Sequence, residues 1–111
     1  MAKKADTLND HQIEELASTF QALADPTRLR ILSALLNDEL SVTAIAEQLS
    51  LSQSNVSRHL SILLGAQLIT KKAHGRMRYY TSEGDFPRLL CGLACGWVKQ
   101  NADRRLRKVK G

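Results

Sequence analysis

Apolar residues recur at helical spacing along the first third of the chain. Their positions predict a first helix over residues 8–23, whose apolar side holds Ile13, Leu16, Ala17, Phe20 and Leu23. Asp25 and Pro26 come next, and they favour a new helix start because aspartate caps a helix and proline suits its first position. A second helix is therefore predicted, with apolar residues at Ile31, Leu32, Leu35 and Leu36.

Two more helices separated by a tight turn are predicted over about residues 41–64. Ser41 opens a short helix, and Ser52 caps a longer one that runs from about Gln53 to Leu64. The outer face of the longer helix carries small polar residues and an arginine, namely Ser54, Ser57, Arg58 and Ser61. A short helix, a tight turn and a helix with such a face are typical of a helix-turn-helix.

A β-hairpin and a long helix are predicted for the remainder of the chain. Strand-forming residues flank a basic tip and indicate a hairpin over about residues 68–81. Asp85 as a cap and Pro87 in the first turn then favour a C-terminal helix over about residues 85–107. Its apolar stripe is formed by Phe86, Leu90, Leu93 and Trp97.

Composition limits the chain to one small domain over residues 1–111 with a formal net charge of +5. Hydrophobic residues make up 43%, which suffices for a modest core and excludes a disordered tail. Aromatic residues make up only 5%, which excludes a surface that binds RNA by base stacking. Positive charge mixed with acids favours nucleic acid as the partner.

The chain lacks the signals of a membrane or secreted protein. Its apolar runs fall far short of the roughly 18 residues that a membrane span needs, so no membrane partner is expected. Residues 1–6 lead into polar sequence and predict no secretory signal. Cys91 and Cys95 cannot form a framework of disulfides that links distant parts of the chain, so we expect a cytoplasmic protein in a reducing environment.

Three motifs, in this order, resemble the ArsR/SmtB family of bacterial winged-helix repressors. They are ALADPTRLRIL at residues 22–32, LSQSNVSRHL at residues 51–60 and HGRMRYY at residues 74–80. The resemblance implies a mainly α fold with a small β-hairpin, a winged helix-turn-helix that dimerises through its first and last helices. It also implies a homodimer that sits on double-stranded operator DNA and leaves it when an effector binds.

Four residues of the predicted recognition helix are candidates for contacts with base edges. Short polar side chains let a helix approach the major groove closely, and Arg58 is able to fork onto a guanine while Gln53 pairs with an adenine. Ser54 and Ser57 would contact bases or phosphates. The alternative is a solvated polar face. His59 lies at the edge of the buried stripe, and we interpret it as structural.

The predicted wing supplies cations for the DNA backbone. Lys71, Lys72, Arg76 and Arg78 would lie along phosphates or the minor groove and add affinity that weakens with salt. The alternative is a charged hairpin that only keeps the protein soluble. The basic residues from Arg104 onward equally complement the dipole of the last helix, so we assign them no DNA contact.

The two metal sites common in the family are absent from this sequence. Where the family has cysteines at the start of the third helix, this chain has Ser41 and Thr43, whose hydroxyls do not replace thiolates for soft metals. The second site needs histidines in the last helix, and no histidine follows His74.

Cys91 and Cys95 remain as candidates for an effector site. They lie four residues apart and so share one face of the last helix. If the apolar stripe faces the core of its own subunit, the cysteines face the partner subunit or solvent, and a dimer would gather up to four sulfurs. Such a cluster would bind arsenite or another thiophilic ion, or respond to reactive sulfur or oxidants. The alternative is that both cysteines are small packing residues.

An enzyme is not expected, because the sequence has no nucleophile paired with a base and no phosphate-binding loop. Two alternatives to a thiol-responsive repressor stay open. One is a winged-helix repressor with a non-thiol effector or none, and the other is a winged helix that docks onto a protein instead of DNA.

Overall fold

Five helices and one β-hairpin make up the part of the chain that the computed structural model describes, the backbone of residues 7–110 and the side chains of residues 7–108. In order they are α1 (Asp10–Leu23), α2 (Pro26–Leu35), α3 (Val42–Leu49), α4 (Gln53–Gly65), β1 (Ile69–His74), β2 (Met77–Ser82) and α5 (Asp85–Lys110). Residues 1–6, for which the sequence predicts no secretory signal, and Gly111, the end of the predicted domain, lie outside the described residues.

Side-chain caps fix where the first four helices begin. Asp25, Ser41 and Ser52 each accept a hydrogen bond from the backbone N–H three residues later, as the sequence predicts. Asn9 forms a capping box with Gln12, so α1 begins at Asp10 rather than at Leu8. At the tight turn after α3, Ser50 adopts a left-handed conformation with φ 55°.

Helices α2, α3 and α4 bury their apolar sides against one another and against the start of β1. The side chains that are almost wholly buried here are Ile31, Leu32, Leu35, Ile45, Val56, Leu60, Leu63 and Leu68. Burying each such aliphatic side chain stabilises the fold by roughly 1.5–3 kcal/mol. Because all three helices share this core, α4 has one face inward and one face in solvent.

The hairpin pairs antiparallel from Ile69 opposite Ser82 to His74 opposite Met77. Gly75 at its tip has φ 65°, a left-handed conformation that suits glycine. At its base, Tyr80 and Leu40 exchange backbone hydrogen bonds of 2.8 and 3.0 Å, and Tyr80 packs against the core. The predicted fold class, mainly α with a small β-hairpin, is confirmed.

Among the side chains that the structure describes, those of helix α5 pack against the core only along its first turns. Pro87 is fully buried, and Leu90 and Cys91 pack against the core cluster. The side chain of Arg88 donates to the carbonyl of Leu36 and, at 3.3 Å, to Oδ1 of Asn37, which ties α5 to the end of α2. Asp85 is the first residue of the helix rather than its cap.

The apolar stripe predicted on α5 does not, as a whole, face the core of its own subunit. Of the predicted stripe, only Leu90 packs against the core, whereas Leu93 is 75% and Trp97 63% exposed. At about 100° per residue, Cys91 and Cys95 lie about 160° and 200° around the helix from Leu93. The side that carries Cys91 and the buried Pro87 is therefore the side that meets the core. Among the described helices, none is long and apolar enough to cross a membrane.

Candidate nucleic-acid interface

Helix α4 presents to solvent the four residues that the sequence predicts to contact base edges. We call Gln53, Ser54, Ser57 and Arg58 the base-reading surface, and all four are exposed. The opposite side of the same helix is anchored in the core by Val56, His59, Leu60 and Leu63. The exposed side thus combines short hydroxyl side chains with one amide and one guanidinium, which are the groups that recognise donor and acceptor patterns in the major groove.

Two members of the base-reading surface are already held by neighbours. Nη2 of Arg58 donates to Oδ1 of Asn55 at 3.1 Å, and Nε2 of Gln53 donates to Oγ1 of Thr43 at 3.4 Å. Because a guanidinium has five N–H donors, one contact with Asn55 leaves donors available for a base. The contact between Gln53 and Thr43 joins α3 to the surface, which the sequence did not indicate.

The cations of the wing are exposed and divide between the two faces of the hairpin. Side chains alternate along a strand, so Lys71 and Arg78 share one face, Lys72 lies on the other, and Arg76 sits in the turn. Within residues 7–108, Lys71, Arg76 and Arg78 make no ion pair. These three are therefore available to a phosphate without first losing a partner on the protein.

Lys72 differs because Glu39, in the loop between α2 and α3, binds it. Nζ of Lys72 lies 3.1 Å from Oε1 of Glu39, and Nε2 of His74 lies 3.6 Å from the other carboxylate oxygen. The hydrogen bond from Lys72 holds the pKa of the Glu39 carboxyl below its usual value, and the nearby charges of Lys72 and His74 act in the same direction. Glu39 lies 33 residues from Lys72 in the chain, so no local sequence pattern indicated it as part of the wing.

His59 is structural, as the sequence indicates, and it is 8% exposed. Its Nδ1 lies 3.3 Å from Nη1 of Arg28 and 4.0 Å from Oδ2 of Asp25. The backbone N–H of Arg28 lowers the pKa of the Asp25 carboxyl, and burial opposes this shift only in part. Arg28 belongs to the motif at residues 22–32, but no sequence pattern indicated its contact with α4.

Cys91 and Cys95 differ in their surroundings. Cys91 is half-buried beside the core and Cys95 is exposed one turn later. Burial raises the pKa of the Cys91 thiol above its ordinary value. In the described part of the chain no three His, Cys, Asp or Glu side chains group closely enough to hold a metal ion. A soft metal ion bound here would have two thiol ligands from one chain.

Comparison with known proteins places this arrangement among bacterial regulators. The family model described as "Bacterial regulatory protein, arsR family" matches residues 25–71, which run from the cap of α2 into β1. A relative from Synechocystis sp., named "Transcriptional repressor SmtB homolog", is 43% identical over 70 residues, which are 63% of this chain and 53% of the relative. The match thus spans about half the length of that relative.

Solved structures extend the likeness to more of the chain than residues 25–71. The crystal structure of NolR from Sinorhizobium fredii is 32% identical, with a TM-score of 0.72 over 81% of this chain and 93% of that one. A solution structure from Mycobacterium bovis is described as a homodimeric winged helix-turn-helix DNA-binding domain of a possible ArsR-family regulator. It is 27% identical, with a TM-score of 0.78 over 90% of this chain and 92% of that fragment.

Proposed function

Because this chain belongs to the arsR family of bacterial regulatory proteins, we propose that it is a transcriptional repressor that binds double-stranded operator DNA as a homodimer. The observation that carries the proposal is the exposed base-reading surface on a helix whose other side is fixed in the core. A repressor acts on chromosomal DNA, so we place the protein in the cytoplasm.

In this proposal, α4 enters the major groove and the wing contacts the backbone. Arg58 donates two hydrogen bonds to a guanine, Gln53 pairs with an adenine, and Ser54 and Ser57 contact bases or phosphates. Lys71, Lys72, Arg76 and Arg78 neutralise phosphates, so affinity falls as salt rises. Residues 1–111 act as one domain, with the helix-turn-helix over about residues 41–64, the wing over about 68–81 and the last helix over about 85–107.

Exposed apolar residues on the first and last helices support a dimer. On α5, Phe86, Leu89, Leu93 and Trp97 form a solvent-facing band, which we call the α5 stripe. On α1 the exposed apolar side chains include Ile13, Leu16 and Phe20. Large apolar side chains in such a contiguous arrangement mark an interaction surface, and a twofold dimer covers the same surface on both subunits. The Mycobacterium bovis relative is homodimeric by its description.

The experiment is a fluorescence-anisotropy titration of the reduced protein on the DNA upstream of its own gene, with the mass of the complex measured by light scattering. We expect two subunits per duplex and a steep loss of affinity with salt. The alternative, a winged helix that docks onto a protein, would be favoured by two results together. The affinity for DNA would depend on neither salt nor sequence, and a protein partner would bind through α4.

For the signal that releases DNA, we propose that the thiols of Cys91 and Cys95 take a thiophilic ion such as arsenite, or react with sulfur species or oxidants. Their spacing of one helical turn supports joint binding by two thiols of one chain. The α5 stripe lies on the opposite side of the helix, so a dimer formed through this stripe would not gather four sulfurs at the twofold axis. Each subunit would then bind the effector through its own pair of thiols, without ligands from the partner.

A double substitution tests the thiol proposal. The anisotropy titration is repeated with arsenite, zinc, persulfide and an oxidant, on the wild type and on Cys91→Ser/Cys95→Ser. We expect release of the wild type by at least one agent and none for the variant. Release that persists in the variant, or no release of either protein, favours a repressor with a non-thiol effector or none.

A further inference from the structure

One arginine outside the base-reading surface connects three helices. Arg28 lies in the first turn of α2, where its backbone N–H donates to Oδ2 of the capping Asp25 at 3.0 Å. Its side chain extends from α2 in two directions, toward the end of α1 and toward the middle of α4. Its guanidinium therefore touches both neighbouring helices at once.

At α1, Arg28 donates to carbonyl groups of the last turn, where a helix runs out of intrahelical donors; the carbonyl of Gln21 also accepts the backbone N–H of Ala24 at 3.2 Å. Nη2 donates to the carbonyl of Gln21 at 3.3 Å, and Nε donates to the carbonyl of Ala22 at 2.5 Å. A positive charge at a helix C-terminus also interacts favourably with the helix dipole. The last turn of α1 contains no basic residue of its own, so Arg28 supplies this charge from the next helix.

At α4, the partner of Arg28 is the buried ring of His59. Nη1 of Arg28 lies 3.3 Å from Nδ1 of His59. A guanidinium only donates hydrogen bonds, so in this contact Arg28 is the donor and Nδ1 of His59 is the acceptor. Oδ2 of Asp25 is 4.0 Å from the same nitrogen, which is beyond hydrogen-bond distance.

We infer that Arg28 is a positioning residue that fixes the rotation of α4 about its axis relative to α1. His59 directly follows Arg58 in the chain, so any rotation of α4 that moves the ring moves Arg58 through the same angle. Loss of the Arg28 contact therefore misaligns the base-reading surface without removing any residue from it. This inference rests on the proposed function, because it assigns Arg28 a role in sequence recognition.

The ratio of affinities for specific and non-specific DNA separates positioning from a merely structural role. Partial unfolding lowers the concentration of folded protein and weakens binding to every duplex by the same factor. A misaligned α4 loses contacts with base edges, whereas contacts with phosphates, which carry no sequence information, are largely kept. Only misalignment changes the ratio.

The experiment uses two labelled duplexes of equal length. One is the sequence that the wild type enriches most from a randomised pool, and the other is a scrambled version of it. Anisotropy titrations and thermal unfolding compare the wild type with Arg28→Met, His59→Leu and the double variant. Arg30→Met is the matched control, since Arg30 is exposed on the same helix and makes no hydrogen bond or ion pair within the described residues.

We expect the affinity ratio to fall about tenfold in Arg28→Met, a size typical of coupling between residues in contact, and to stay unchanged in Arg30→Met. His59→Leu should lower the ratio similarly, and the double variant should lower it no further. Arg28→Lys keeps the charge but not the planar fork, so it should also lose discrimination, and it provides the measurement should Arg28→Met fail to fold.

A wild-type ratio in both Arg28→Met and Arg28→Lys would overturn the inference and leave the proposed function standing. If the wild type enriches no sequence from the pool, the proposed function fails as well. The two failures are therefore distinguishable in one set of titrations.

Discussion

At the residue scale, Lys72 is set apart from the other cations of the wing by the carboxylate of Glu39. The carboxylate binds Lys72 and also approaches His74, so it neutralises one of the four cations proposed to contact phosphates. The pKa of the Glu39 carboxyl is lowered mainly by the hydrogen bond from Lys72, so the group stays ionised throughout the neutral range. An exposed pair of this kind contributes little to stability, so we expect it to matter mainly for DNA binding.

Replacing this carboxylate should strengthen binding to DNA. In Glu39→Gln, Lys72 is released for phosphate contact and a charge that repels phosphates is removed. We expect about threefold to fivefold tighter binding, the range that an exposed pair worth up to about 1 kcal/mol allows. The slope of log affinity against log salt should steepen by about 1 per subunit. Anisotropy titrations over a salt series measure both quantities.

Two comparisons control that measurement. Glu14→Gln removes an exposed acid of α1 that has no ion-pair partner among residues 7–108, and it should leave affinity unchanged. In a Lys72→Met background, Glu39→Gln should lose most of its effect. Equal gains with and without Lys72 would show that the ion pair is irrelevant to binding.

The two cysteines should differ in reactivity. Burial raises the pKa of the Cys91 thiol, so less thiolate is present near neutral pH, and the half-buried sulfur is also harder to reach. Cys95→Ser, which reports Cys91, should therefore react with iodoacetamide more slowly than Cys91→Ser, which reports the exposed Cys95. The alkylation rate of Cys91 should also begin to increase at a higher pH than the rate of an unburied thiol, because its pKa is raised. Mass spectrometry of timed samples checks both points, and equal rates at every pH would contradict them.

Sequence patterns identified candidate residues but not the contacts between distant ones. The exposure of Arg58 and Gln53 follows from helical periodicity around Val56 and Leu60, and it was predicted. The partners of Lys72 and His59 come from other elements, more than thirty positions away in the chain. Periodicity describes one element at a time, so it contains no information about such contacts.

At the element scale, helix starts were predicted well because their signals are local. Asp25, Ser41 and Ser52 cap within three residues of themselves, which a sequence shows directly. The orientation of α5 was not predictable in this way. Apolar residues lie on much of its circumference, and a sequence pattern does not distinguish a side that packs on its own core from a side that packs on a partner. The burial of Pro87 and the hydrogen bonds of Arg88 to the end of α2 determine which side of α5 faces the core.

Charging the α5 stripe should dissociate the dimer without unfolding the subunit. Leu93 is 75% exposed, so Leu93→Glu removes almost no packing within the chain. In the proposed dimer both copies are buried, and at roughly 1.5–3 kcal/mol for each leucine we expect the dissociation constant to rise by at least about a hundredfold. Sedimentation velocity over a concentration series measures the shift, and circular dichroism confirms the fold.

Ala102→Glu is the control for this substitution. Ala102 is exposed on the same helix, about 180° around from Leu93, and it receives the same carboxylate. We expect it to stay dimeric. Dissociation by both substitutions, or by neither, would place the interface somewhere other than the α5 stripe.

At the scale of the whole molecule, the proposed dimer gives each copy of α4 a defined place on DNA. A twofold axis relates the two base-reading surfaces, so the operator should be an inverted repeat. Arg28 connects α1, which carries part of the exposed apolar surface, to His59 of α4. The helix that carries part of the proposed dimer surface is thus joined to the recognition helix through Arg28.

The most direct measurement is the affinity of Arg58→Ala for the duplex that the wild type selects and for its scrambled version. An arginine that donates two hydrogen bonds to a base contributes about 1–3 kcal/mol of discrimination, so we expect selective binding to fall about tenfold to a hundredfold. Arg30→Ala, which removes the same charge from α2, should keep the wild-type ratio. If Arg58→Ala also keeps that ratio while remaining a folded dimer, α4 is not the helix that recognises DNA sequence.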